Sequence, residues 1–146
     1  MSRFANYDAN AVTLVLCGIP ITDMRAPKGF LKLSKAADEY GTSEGTDGGV
    51  IRWHVGSRLC DGEVTLLDGS LHNQQLSALL AVDTLSTNGA GVSILLAKDN
   101  NGATLVASDK CWISKRPETA KGRESGERTW KFQFVANNAQ FIDGGN

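Results

Sequence analysis

The chain has 146 residues, enough for one hydrophobic core of the usual single-domain size and too few for two, so residues 1–146 are expected to form one domain. Its 15 Lys and Arg against 16 Asp and Glu leave no net field to draw it to nucleic acid or to an anionic membrane. Any electrostatic role must reside in local patches.

The first apolar run, AVTLVLCGIPI, is far shorter than the roughly 20 residues of a membrane span and contains Gly18 and Pro20. Upstream, MSRFANYDAN has Arg3 as its one side-chain cation, offset by Asp8, which argues against a signal peptide. The expectation is a soluble chain made in a reducing cytoplasm. AVTLVLC itself is apolar on both faces and reads as a strand covered on both sides. FLKLSKA follows as a second strand candidate.

Residues 37–50, ADEYGTSEGTDGGV, read as a long loop that is acidic and punctuated by glycine. It holds Asp38, Glu39, Glu44 and Asp47 with no basic residue, and one aromatic, Tyr40. The next stretch, VIRWHV, alternates Ile51, Trp53 and Val55 against Arg52 and His54, the period of a half-buried strand. EVTLLD is a further strand candidate. SLHNQQLSALLAVD then breaks the alternation: Ser70 offers an N-cap, and Leu76, Leu79 and Leu80 recur at helical spacing without Gly or Pro. A helix over about 70–83 would bury that leucine stripe against a sheet. STNGAG ends it.

VSILLA is again apolar on both faces, and KDNNGAT turns it into ATLVASDKCWIS. A second charged loop, SKRPETAKGRESGER, carries Lys115, Arg116, Lys121, Arg123 and Arg128 against Glu118, Glu124 and Glu127. In RTWKFQFVA, Trp130, Phe132 and Phe134 share one face and Lys131 and Gln133 the other. The class is therefore mainly β, an antiparallel sandwich or partial barrel with one flanking helix and long inter-strand loops. An acidic loop and a net basic loop on a near-neutral chain suggest surfaces that meet between copies of one molecule.

Signals for chemistry are missing. GTSEGTDGG lacks the Gly-Lys-Ser/Thr and the following helix of a phosphate loop, and GAG at 89–91 lacks the third glycine of a dinucleotide fingerprint. Cys17, Cys60 and Cys111 are widely spaced, without the close ligand pairs of a metal site, and read as buried thiols. The two histidines, His54 and His72, have no local triad or ligand partner, and nothing favours a distant pair such as Cys60 with His54. The aromatics alternate like core residues and the basic residues are interleaved with acids, so no stacking platform for nucleic acid is expected. No catalytic, metal or cofactor site is expected, and self-association is left as the carrier of function.

The order of motifs carries a resemblance. An apolar strand with CGIPI is followed by an excursion closing on GTDGGVIRW, by GEVTLLDGSLHNQQLSALL, by the hairpin around DNNGAT, and by a Trp-containing strand before FIDGGN. Across nearly the whole chain this resembles the tail tube proteins of contractile-tailed bacteriophages. The resemblance implies a virion protein assembled in the host cytoplasm, with hexameric rings stacked into a hollow tube through which genomic DNA passes without specific binding. It also implies a tail sheath protein and terminator or baseplate proteins as partners, and no membrane. It implies, further, that the loop between early strands reaches a neighbouring copy. Asp38, Glu39, Tyr40, Glu44 and Asp47 would then meet Arg116, Arg123 and Arg128 of another subunit. Strand faces bearing Lys32, Arg52 and Lys131 leave open which side lines the lumen. The alternatives are the tube of a type VI secretion or related injection machine, and a monomeric β-barrel holding a small ligand.

Overall fold

The computed structural model describes residues 8, 11–27, 29–100, 102, 104–119, 121 and 126–142. In chain order the elements are β1 (Val12–Leu16), β2 (Ile19–Pro20), β3 (Leu31–Lys35), β4 (Tyr40–Glu44), β5 (Val50–His54), β6 (Leu59–Leu67), α1 (His72–Leu85), β7 (Ser93–Asp99), β8 (Leu105–Lys115), β9 (Glu127–Val135) and β10 (Phe141–Ile142). Among the described residues eight strands form one antiparallel sheet in the order β2-β1-β7-β8-β9-β6-β3, with β10 pairing the first residues of β8. The mainly β class with one helix is what the alternation predicted.

Its inner face is the core. On β9 the alternation puts Trp130, Phe132 and Phe134 inside, and their neighbours in register on β6 and β8 are Val64, Cys60, Ile113 and Cys111. Leu14, Leu16, Leu95, Ala97 and Val106 complete that face from β1, β7 and β8. Outward positions are charged and paired across strands: Lys32 and Lys131 both sit opposite Glu63, and the Lys131 Nζ lies 3.8 Å from its carboxylate.

The sheet is not a closed barrel, yet the chain bridges its open side. Ile21 N–H still donates to Leu14 O beside β2, and by Arg25 the chain is already bridged to Leu66 of β6. Four residues reach no more than about 14 Å, so the sheet must curl far enough to bring its two ends that close. Edge strand β2 ends on Pro20, a residue tolerated there because an edge needs no further ladder donor.

Helix α1 closes the inner face with Leu76, fully buried, and with Leu79 and Leu80 packed against the core. It begins two residues later than the sequence suggested. Ser70 is not its N-cap; Leu71 is, and one of the two accepting oxygens comes from far along the chain. Leu71 N–H donates to Asp23 Oδ2 at 3.1 Å, and His72 N–H to Ser70 Oγ, whose own hydroxyl donates to Asp23 O. A long-range carboxylate thus satisfies first-turn donors that a local serine only partly reaches.

Two expectations of coverage fail. VSILLA was read as covered on both sides, but Ile94 of β7 is exposed. VIRWHV was read as a half-buried strand, and among the described residues nothing covers it.

Candidate assembly surface

Residues 37–50, expected as a loop, contribute strand β4, which pairs with β5 as a separate two-stranded sheet. The pairs run Tyr40 with His54, Gly41 with Trp53, Thr42 with Arg52, Ser43 with Ile51 and Glu44 with Val50. Period two then gives the hairpin two faces. One carries Ile51, Trp53 and Val55 over the small Gly41 and Ser43; the other carries Tyr40, Arg52 and His54. The Arg52 guanidinium lies 4.2 Å from the Tyr40 ring centre and the His54 ring 5.4 Å from it, so the polar face is organised within the hairpin.

The apolar face has no such cover among the described residues. Ile51 is 69% exposed, Trp53 50% and Val55 43%, values that belong to polar loop residues rather than to an alternating strand. Gly41 sets the Trp53 position, because a Cβ there would collide with the indole ring. An isolated two-stranded hairpin is marginal in water.

The acidic residues of this segment divide by role. At the tip Asp47 Oδ1 accepts from Gly49 N–H at 3.0 Å, and Gly45 N–H donates to Gly49 O, which fixes the turn. At the base the Glu39 carboxylate accepts from Asn138 Nδ2 at 3.2 Å and stands 3.9 Å from Lys35 Nζ. Asp38, Tyr40 and Glu44 are exposed.

The basic residues divide as well. Arg128 was expected to face a neighbour and is instead 9% exposed, held within its own subunit. Its Nε donates to Asp68 Oδ1 at 2.5 Å and its Nη1 to Glu118 O at 2.9 Å. That donation keeps the Asp68 carboxyl below its ordinary pKa, with Lys121 at 3.8 Å as a lesser cause. Arg116 is exposed, on the rim shared by two grooves. One, of about 340 Å³, is lined by Asp68, Asn73, Arg128 and Trp130. The other, of about 360 Å³, is lined by Leu80, Ala81 and Leu85 of α1. Arg123 lies outside the described residues.

The structure therefore gathers Asp38, Glu39, Tyr40, Glu44 and Asp47 on one projecting hairpin and puts Arg116 beside the helix. What the sequence reading missed is that the apolar face of VIRWHV stays exposed. Its signal was present: a strand of clean alternation, flanked by TDGG and GS, beside a glycine-rich segment that sets only Gly41 and Ser43 against that face.

No family model matches the chain. In sequence it is similar to "Structural protein ORF10" of Pseudomonas phage KPP10, 26% identical over 152 residues, covering 99% of this chain and 85% of that protein. In fold it is similar to the tube-terminating cap of the anti-feeding prophage, with a TM-score of 0.57 at 7% identity, covering 93% of this chain and 91% of that one. The second likeness is one of fold alone. The first likeness is to a phage structural protein.

Proposed function

We propose that this chain is a structural subunit of a phage tail, and within it a subunit of the tail tube: copies join side by side into hexameric rings that stack into a hollow conduit for DNA. The proposal includes a non-catalytic role, self-association as the main contact, and sheath, terminator or baseplate proteins as further partners. The observation that carries it is the hairpin β4–β5, whose apolar face has the alternation of a buried strand and no cover from the described residues of its own chain. A second copy supplies that cover most economically, because a head-to-tail contact repeated around a ring uses the same two surfaces in every subunit. The likeness to a phage structural protein over 99% of the chain supports the setting.

The fold likeness to a tube-terminating cap favours a second reading, in which the chain forms a single ring at a tube end. Both need subunit contacts; only the first gives stacked rings.

Ile51→Lys separates folding from assembly. Ile51 touches solvent in the isolated chain, so the variant monomer should keep its unfolding midpoint, while burying a lysine in place of about 2 kcal/mol of apolar contact should weaken association at least tenfold. Sedimentation velocity of the two proteins at matched concentration reads this. Identical sedimentation profiles, with the wild type assembled, would remove the hairpin from the contact.

A further inference from the structure

Cys17 and Cys111 lie 94 residues apart in sequence, yet their sulfurs are 3.6 Å apart, in van der Waals contact. The Cys17 Sγ also lies 3.3 Å from Cys111 O, so the side chain is held over β8. In the sheet order β1 and β8 are separated by β7, and the contact passes beside the start of β7, where the register shifts between Ser93 and Leu95. Cys17 and Gly18 form the two-residue turn between β1 and β2, both with positive φ, 51° and 83°. Glycine takes such a conformation freely, and Asn or Asp commonly fills the first position. The backbone therefore gives no reason for a cysteine at 17; its thiol contact does.

We propose that Cys17 and Cys111 are a modification site, oxidised by a small peroxide to an intramolecular disulfide that staples the β1–β2 turn to β8. Cys17 is the attacking sulfur. It is 5% exposed at an edge turn while Cys111 is fully buried. The Cys17 thiolate attacks one peroxide oxygen, the O–O bond breaks, and hydroxide leaves and takes up a proton. The resulting sulfenic acid is attacked by the Cys111 sulfur, whose proton leaves with the hydroxyl as water. Two thiols and one hydrogen peroxide give one disulfide and two waters. Approach of the sulfurs from contact to the bonded distance of about 2.05 Å requires a local shift, which the turn at the sheet edge permits. The third thiol is an internal control, since Cys60 is fully buried and, among the described residues, its Sγ hydrogen-bonds the carbonyls of Arg58 and Ala136 rather than another thiol.

The bond-forming claim stands apart from the tail-tube reading, which adds only that oxidation follows release from a reducing cell. The test is made on the purified full chain. After dilute hydrogen peroxide, intact mass should fall by about 2 Da, digestion should yield a Cys17–Cys111 linked peptide, and Cys60 alone should be alkylated on unfolding. The unfolding midpoint should rise by on the order of 10 °C and return with dithiothreitol, because a long loop is closed in the unfolded chain. With Cys111→Ala the mass loss should vanish and dimedone should trap a sulfenic acid at Cys17. Alkylation of all three thiols after peroxide treatment, or linkage through Cys60 or between molecules in comparable yield, would overturn the proposal.

Discussion

Asp68 and Arg128 show how one pair of side chains can be misjudged from composition and still be decisive. Arg128 sits in a charged loop sequence but at an inward position of β9, in the row that continues through Trp130, Phe132 and Phe134. An inward arginine must be satisfied, and Asp68, Glu118 O and the strand register do so. The alternation that placed the aromatics therefore also placed Arg128; only its charge suggested otherwise. The pair has a pH signature. Because the Asp68 carboxyl is held below its unfolded value near 3.9, its contribution is complete above that pH and is lost as pH falls through the lower folded value. Urea denaturation of wild type and Asp68→Asn should show a stability gap that is constant from neutrality to about pH 5 and narrows below about pH 4. A gap independent of pH across that range would contradict this role.

Helix α1 illustrates what sequence carries at the level of an element. The leucine spacing was sufficient to locate the helix and its buried face, since Leu76, Leu79 and Leu80 need only a 3.6-residue period. Its start was not legible, because the groups that fix it come from residues 22 and 23. The buried His72 accepts the N–H groups of Thr22 and Asp23 on Nε2, each at 3.1 Å, and its Nδ1 lies 2.7 Å from Gln75 Oε1, which it meets as the donor. One imidazole thus ties the crossover from β2 to the first turn of the helix. His72→Ala leaves two part-buried donors without their acceptor and should cost about 2–4 kcal/mol of stability, read by chemical denaturation. It should also speed amide exchange at Thr22 and Asp23 ahead of the rest of the sheet. A loss below about 0.5 kcal/mol would show that the tie is dispensable.

For the whole molecule, the alternation that located the core misjudged the cover of the hairpin for one physical reason. Alternation reports that a face is to be buried and says nothing about whose surface buries it. In RTWKFQFVA the cover is the rest of the same sheet and α1; in VIRWHV the same signal points out of the molecule, and Ile51, Trp53 and Val55 stay in water. The glycine-rich acidic segment beside it serves as the second strand and tip of the hairpin, with Asp47 shaping the turn and Asp38 and Glu44 facing solvent. The account's central claim is that copies of this chain complete one another. Negative-stain electron microscopy of the purified protein across a concentration series, with light scattering on the same samples, tests it most directly. The account predicts rings or hollow tubes of uniform width that grow in number with concentration. A strictly monomeric protein at the highest concentration would contradict it.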